Sequence, residues 1–167
     1  MTPRIVQKIE VWPIDRLVPY VRNSRTHSDA QVAQIAASIQ KFGFNVPIAV
    51  ATDAGIIAGH GRLKGARKLG MPEVPVVVLD HLTEAERRAY VIADNKIAEN
   101  AGWDKALLTD EMQDLREYLG AIGFSDKEFD ALMQSALPPD EFPEFTENLE
   151  TEHQCPKCGY KWSGGAA

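Results

Sequence analysis

Hydrophobic residues in the first hundred positions of the chain alternate between short strand-like runs and helical stripes. Four apolar runs predict strands, at residues 9–13, 46–51, 56–57 and 74–79. Stripes at helical spacing predict helices that follow a capping box at Ser28 and Gln31, a glycine at Gly59, and a capping box at Thr83 and Glu86. The run at 74–79 is almost uninterrupted, which is typical of a central, buried strand. The pattern predicts an α+β domain with a small sheet and packed helices.

The segment from Ile56 to Gly70 predicts a strand, a glycine turn and a helix in direct succession. At such a junction the first N–H groups of the helix lack helical acceptors, and the helix dipole favours an anion. Gly59 and Gly61 would let a ligand approach the backbone, and Arg62 would add positive charge. These are the ingredients of an anion site. A plain strand-to-helix connection with solvated basic residues explains the local pattern equally well.

Two polar clusters elsewhere have side chains that suit a ligand site. The loop at residues 15–27 contains Arg22, Asn23, Arg25 and His27, and the polar cluster that follows the third predicted helix contains Asp94, Asn95 and Glu99. Each cluster fits either a solvated surface or the wall of a site for a polyanion. The pattern alone leaves this choice open.

The C-terminal third predicts two helices, a linker and a short tail. Residues 105–136 predict a helix that ends at Gly120 and a second helix that opens with a capping box at Ser125 and Glu128. The second helix is acidic, which is the wrong charge for a DNA recognition helix. Residues 137–152 are rich in proline and acid and predict a linker.

The tail at residues 153–162 contains both cysteines of the chain. Cys155 and Cys158 lie in the sequence C-P-K-C-G, which is typical of half a zinc ribbon, with a glycine that permits the tight turn around a metal. With His153 they supply at most three ligands of a tetrahedral zinc site. The remainder would come from another residue, a second copy of the chain or water. Two reduced thiols on a flexible tail are the alternative.

Composition limits the partners that the chain is expected to bind. The 167 residues include 18 basic and 24 acidic side chains, and the net charge of −6 argues against binding nucleic acid by charge alone. A local basic face is compatible with this balance. No apolar run approaches the ~20 residues of a membrane span, and the N-terminus lacks an apolar leader core. A cytoplasmic protein without a membrane partner is therefore expected.

Three segments together resemble the ParB N-terminal domain of the ParB and sulfiredoxin-like superfamily. Residues 18–50 resemble the first conserved box of ParB proteins. The sequence G-H-G-R-L-K-G-A at residues 59–66 resembles the second box, usually G-E-R-R, and A-D-N-K-I-A-E-N at residues 93–100 resembles an E-N-x-x-R element. The resemblance covers residues 9–104 and implies a ParB/sulfiredoxin-like domain with a mixed sheet.

The resemblance implies a nucleotide site. In that family the second box binds nucleotide phosphates, of CTP in partition proteins and of ATP in some relatives, and the third element helps to hold them with Mg²⁺. Carried over by position, the phosphate-binding residues are Gly59, His60, Gly61, Arg62, Arg25 and Asn95, and the residue at the metal is Asp94.

The chain departs from the family pattern at two positions and lacks the cysteine of sulfiredoxins. Gly61 replaces the first arginine of the second box, and Ala98 stands where the third element ends in arginine. Two phosphate-neutralising charges are thus absent, so the resemblance does not extend to CTP specificity or clamp switching. The catalytic cysteine of sulfiredoxins is also missing from the second box, which excludes their sulfinic-acid repair.

Three functional hypotheses follow. The first is a module that binds CTP or ATP in phage or mobile-element DNA processing, because the chain looks most like ParB-like domains of phage and prophage proteins, many of which precede a DNA methyltransferase. Weak hydrolysis would rest on Arg62 and a metal, since no activated nucleophile is apparent. The second is a metal-dependent nuclease or a small-molecule kinase, with His60, Asp94 and Glu99 as candidate catalytic groups. The third is a non-catalytic adaptor that recruits a DNA-modifying partner or forms a homodimer through its linker and tail.

Overall fold

Four short strands form a mixed sheet in the computed structural model, which describes residues 8–135 and 153–162. The strands are β1 (Glu10–Pro13), β2 (Ile48–Val50), β3 (Ile56–Ala58) and β4 (Glu73–Val78), in the order β1-β4-β2-β3. Strand β4 pairs antiparallel with β1 and parallel with β2, and β2 pairs antiparallel with β3. The inner place predicted for the run at 74–79 is confirmed, as is the α+β fold with a mixed sheet.

Residues 8–135 also form six α-helices. They are α1 (Asp29–Phe42), α2 (His60–Lys68), α3 (Glu84–Glu99), α4 (Lys105–Met112), α5 (Leu119–Ile122) and α6 (Asp126–Ser135). Short side-chain acceptors begin several of them, because the first N–H groups of a helix have no helical partner. Thr83 with Glu86 and Ser125 with Glu128 form reciprocal capping boxes, as predicted. At α1, Ser28 accepts from the N–H of Gln31, whose side chain contacts His27 rather than the cap.

Successive side chains of the strands point to opposite faces of the sheet, and each face carries one hydrophobic cluster. One face packs against α2 through Leu63 and Ala66, which are almost fully buried with Ile48 and Val76. The other face packs against α3 through Val91. Burying an aliphatic side chain of this size contributes roughly 1.5–3 kcal/mol, so both helices are fixed to the sheet by their apolar faces. The sheet thereby positions the start of α2 and one side of α3.

Three predicted boundaries were wrong. Strand β2 begins at Ile48 rather than at position 46, because Pro47 has no N–H to donate to the ladder. Helix α3 continues to Glu99, so the polar cluster lies within its last turns rather than after it. The helix predicted to end at Gly120 instead breaks after Met112 and resumes as a 3₁₀ turn and α5.

Gly123, not Gly120, ends α5. It adopts a left-handed conformation, with φ of +90°, which favours glycine. Its N–H and the N–H of Phe124 both donate to the carbonyl of Leu119, at 3.0 and 3.1 Å. This arrangement satisfies a carbonyl that the end of the helix would otherwise leave without a donor.

The chain divides into two compact units between residues 136 and 137, and residues 153–162 belong to the second. There β5 (His153–Gln154) pairs antiparallel with β6 (Lys161–Trp162). The predicted linker at 137–152 lies outside the described residues. Across the two described ranges, none of the helices combines the length and hydrophobicity needed to cross a membrane.

Candidate functional site

A cavity of about 270 Å³ opens at the N-terminus of α2. It is lined by Asn23, Arg25, His27, Ile35, Ala58, Gly59, His60, Gly61, Arg62, Asp94 and Asn95. These include the six predicted phosphate-binding residues and the predicted Mg²⁺ ligand. The structure thus brings together residues from the loop before α1, the start of α2 and the last turns of α3.

Gly59 leaves the N-terminus of α2 open to this cavity. It is the N-cap residue, in a left-handed conformation with φ of +101°, and it provides no side-chain cap. The first helical hydrogen bond runs from the N–H of Leu63 to the Gly59 carbonyl, so the N–H groups of the three intervening residues precede it. The first turn also contains no acidic residue. The positive end of the helix dipole therefore faces the cavity without an acidic residue in its own first turn.

Arg62 packs against Gly59 and brings a partly buried cation to the site. A Cβ atom at position 59 would lie 3.0 Å from Nη2 of Arg62, so the glycine leaves room for this side chain as well as for its own left-handed backbone. Nη2 donates to the carbonyl of Pro47 at 3.3 Å. Nε is buried and has no hydrogen-bond partner among the described residues. Burial lowers the pKa of Arg62, and the carboxylate of Asp94 opposes this shift. Because a guanidinium stays protonated in proteins, the cavity contains a cation that an anion would stabilise.

Gly61 makes room for helix α1 and for the loop that precedes it. A Cβ atom there would lie 2.9 Å from both Cε1 of His27 and Cδ1 of Ile35. Four residues later, Gly65 meets α1 in the same way, with Cγ2 of Ile35 2.9 Å from its ideal Cβ position. Small residues at this spacing allow α1 to cross α2 closely. The space around position 61 is occupied by His27, whose Nδ1 lies 2.9 Å from Oε1 of Gln31.

His60 fixes the start of α2 to the loop that follows β1. Its Nε2 accepts a hydrogen bond from the N–H of Tyr20 at 3.2 Å, which places the imidazole hydrogen on Nδ1. Burial, followed by the nearby His27 and Lys64, lowers the pKa of His60. The neutral ring is therefore favoured, and its Nε2 is engaged in a structural bond rather than free to act as a base.

The last turns of α3 form the opposite wall. Nδ2 of Asn95 donates to the carbonyl of Val91 at 2.8 Å, which leaves Oδ1 as an acceptor. Arg25 forms an ion pair with Glu99. Glu99 does not line the α2 cavity but lies behind Arg25, in a smaller cavity of about 210 Å³. Of the three candidate catalytic residues, only His60 and Asp94 lie in the main cavity.

The oxygen donors near α3 suit Mg²⁺, which does not need a complete set of protein ligands. In residues 8–135 and 153–162, no three His, Cys, Asp or Glu side chains are grouped to hold a metal. Asp94 and Oδ1 of Asn95 offer two oxygen donors, and Mg²⁺ is usually held by one or two carboxylates together with phosphates and water. The predicted zinc ligands are likewise not grouped as three, and the His153 ring packs beside Trp162, with centroids 5.5 Å apart.

The sequence did not assign two apolar lining residues, Ile35 and Ala58, and it offered Asn23 and His27 only as polyanion contacts or as residues of a solvated loop. His27 follows Arg25 by two positions in the same polar loop, which is the available signal. Ile35 carried only the signal of a helix core residue, because its contact with Gly61 depends on how α1 crosses α2.

Comparisons with known proteins agree with this architecture. The family model described as the ParB N-terminal domain matches residues 4–95. The ParB-like nuclease domain-containing protein YnaK of Escherichia coli (strain K12) is 46% identical over 81 residues, which cover 48% of this chain and 93% of YnaK. The uncharacterized protein ORF326b of Acidianus two-tailed virus is 30% identical over 115 residues, which cover 69% of this chain and only 31% of that protein.

A solved structure shares the fold. The C-terminally truncated chromosome-partitioning protein ParB from Caulobacter crescentus, complexed with CTP-γ-S, superposes with a TM-score of 0.64 over 80% of this chain and 81% of that chain. The sequence identity is 23%, so this likeness concerns the fold alone.

Proposed function

Because the chain belongs to the ParB N-terminal domain family, we propose that its α2 cavity binds the phosphates of a nucleoside triphosphate, CTP or ATP. The observation that carries the proposal is the open N-terminus of α2, which faces the same cavity as Arg62 and Arg25. The CTP-γ-S bound to the Caulobacter crescentus protein supports a nucleotide as the ligand.

The cavity offers three kinds of contact to a polyphosphate. The N–H groups at the start of α2 are donors with a fixed direction, and the helix dipole adds ~0.3–1 kcal/mol for an anion. Arg62 lines the cavity and adds a cation there. Arg25 is held by Glu99 at the rim and is available to exchange that carboxylate for a phosphate. Hydrogen bonds to charged groups contribute roughly 1.5–3 kcal/mol each. Because a triphosphate can accept more of these bonds than a monophosphate, it would bind more tightly here.

Asp94 and Asn95 would hold the Mg²⁺ that accompanies a nucleoside triphosphate. The metal would neutralise phosphate charge, while the protein residues orient the phosphates against α2. Electrostatic stabilisation by Arg62 would then support slow hydrolysis at most, because His60 is tied to Tyr20 and no activated nucleophile lines the cavity among the described residues.

We propose DNA processing in a phage or mobile element as the setting, with DNA or a DNA-modifying protein such as a methyltransferase as partner. The similarity to a viral protein supports the setting, and the chromosome-partitioning role named for the structural neighbour supports a link to DNA. Because the net charge of −6 disfavours direct attraction to DNA, a protein partner would bring the chain to DNA.

Thermal unfolding with CTP, ATP, GTP and UTP, each with and without Mg²⁺, tests the nucleotide site. A ligand at a hundred times its Kd stabilises the folded state by about 2.7 kcal/mol, so one nucleotide should raise the midpoint. Arg62→Ala should weaken binding by about 10- to 100-fold, measured by calorimetry below the unfolding temperature. Arg67→Ala is the matched control, since Arg67 is exposed on the same helix and does not line the cavity. No shift with any nucleotide would refute the proposal.

A metal-dependent nuclease is the second candidate, favoured by the name of the relative YnaK and by the carboxylate of Asp94 in the cavity. Incubation of supercoiled plasmid with Mg²⁺ or Mn²⁺ tests it. Nicking that disappears in Asp94→Asn and persists in Asp110→Asn would support it, because Asp110 is an exposed carboxylate on α4. Intact plasmid under all conditions would dismiss it.

A further inference from the structure

The tail hairpin presents its two cysteines on a tightly bonded turn. The N–H of Cys155 donates to the carbonyl of Tyr160 at 2.7 Å, and the N–H of Gly159 donates to the carbonyl of Cys155 at 2.9 Å. Gly159 has a φ of +74°, a conformation that L side chains rarely adopt. These bonds turn the chain back after Cys158 and hold both thiols on one loop between β5 and β6.

Backbone donors also surround the sulfur of Cys155. The backbone N–H groups of Lys157 and Cys158 both donate hydrogen bonds to the sulfur of Cys155. Both cysteines are free thiols, and Cys158 is exposed. Backbone N–H groups that point at sulfur stabilise a thiolate, which is the form that binds soft metal ions.

One chain cannot complete a four-thiolate site, because its sequence contains two cysteines. The predicted third ligand, His153, packs beside the ring of Trp162 instead, and the described part of the chain groups no third ligand with the cysteine pair. Structural zinc sites are nearly always closed and four-coordinate. The cysteine pair therefore needs further ligands, and the same pair of a second copy would supply two more thiolates.

We propose that Cys155 and Cys158 bind a zinc ion together with the same two cysteines of a second copy of this chain. Each thiol loses its proton on binding, the four sulfur atoms donate to one Zn²⁺, and no electron is transferred. The aromatic side chains of Tyr160 and Trp162 lie on the same hairpin, stacked with ring centroids 6.3 Å apart. Both are exposed, and contact with a second chain would bury part of their surface. The tail would therefore join two chains through a metal, independently of the nucleotide cavity.

Metal analysis of the full chain, purified in a thiol reductant without chelator, tests the site. Elemental analysis should find about half a zinc ion per chain, and light scattering should give the mass of a dimer. Either Cys155→Ser or Cys158→Ser should remove both the zinc and the dimer, whereas His153→Ala should retain both. Lys161→Ala, an exposed change on β6, is the control for general damage to the hairpin.

Replacement of zinc by Co²⁺ gives a readout of the ligands themselves. Four thiolates should produce strong sulfur-to-cobalt charge-transfer absorption together with the visible bands of tetrahedral cobalt, at one Co²⁺ per two chains. One zinc ion per monomeric chain, lost in His153→Ala, would overturn the shared site. Absence of zinc and cobalt binding under reducing conditions would overturn the site altogether.

Discussion

Nε2 of His60 accepts a hydrogen bond from the backbone N–H of Tyr20, 3.2 Å away and 40 positions earlier in the chain. This bond joins the loop after β1 to the first residue of α2, and it requires an unprotonated Nε2. The lowered pKa of His60 also favours the neutral ring, because burial disfavours the charged form. His60 is thus a structural residue of the cavity as well as one of its lining residues.

Folding stability should fall with acid because of His60. Its folded-state pKa lies below the ordinary value of 6.5, so at pH below about 6.5 the unfolded chain binds more protons at this residue than the folded chain does. The stabilisation is complete above pH 6.5 and is lost as the pH falls from there towards the folded-state pKa. The free energy of unfolding in urea at pH 7.5, 6.5 and 5.5 measures the effect.

The acid dependence should become shallower in His60→Ala, although that variant is less stable throughout. An unchanged slope in His60→Ala would show that other groups cause the acid sensitivity.

Two helical glycines should respond to alanine with opposite signs. At Gly61 a Cβ atom would lie 2.9 Å from His27 and Ile35, and such overpacking typically costs ~1–3 kcal/mol. At Gly120, within α5, no atom of the described residues lies within 4 Å of the Cβ position apart from its chain neighbours and the backbone of its own helix, so alanine should stabilise by about 0.5–1 kcal/mol. Urea unfolding of the two variants is the measurement, and equal effects would contradict the close crossing of α1 and α2.

Gly123→Ala tests the end of α5. The Cβ position is again free of neighbours, but the φ of +90° strains any L side chain, with a penalty of roughly 1–2 kcal/mol. Gly120→Ala, three residues earlier, separates helix propensity from this strain. A stabilised Gly123→Ala variant would mean that the helix does not end at this residue.

Elements whose signals are local could be predicted from the sequence. The capping boxes at Thr83 and Ser125 are examples, because the interacting groups lie three residues apart. The break between α4 and α5 was missed, because a continuous apolar stripe fits both an unbroken helix and two helices that bend around Phe129. The hydrophobic pattern of a sequence indicates which residues are buried, but it does not indicate the path of the backbone between them.

The candidate site, like the fold, could be predicted from the sequence only in part. The glycine turn and the charge of Arg62 were apparent from a short segment, and the resemblance supplied the remaining positions. The packing at the two glycines was not apparent, since a Cβ atom at Gly61 would meet His27 on another element and one at Gly59 would meet the side chain of Arg62. Contacts between distant segments depend on packing that a single sequence does not display.

The ion pair between Arg25 and Glu99 joins residues 74 positions apart and, under the proposed function, competes with the ligand. Glu99→Gln should free Arg25 and remove a negative charge beside the cavity. A partly exposed ion pair contributes ~0.2–1 kcal/mol, so nucleotide affinity should rise by up to about fivefold while stability changes by less than 1 kcal/mol. Calorimetric titration at low and at 0.5 M salt should show the gain mainly at low salt, because screening weakens exposed pairs.

A double-mutant cycle assigns this gain to Arg25. Arg25→Ala alone should weaken binding, and Glu99→Gln added to it should restore little, because the freed cation is no longer present. Glu84→Gln removes the same charge from the other end of α3 and should leave affinity unchanged. If Glu99→Gln raises affinity as much in Arg25→Ala as in the unmodified chain, the carboxylate acts through general repulsion of the phosphates. If it lowers affinity, Glu99 itself holds the ligand or its metal, and the ion pair is then part of the binding site rather than its competitor.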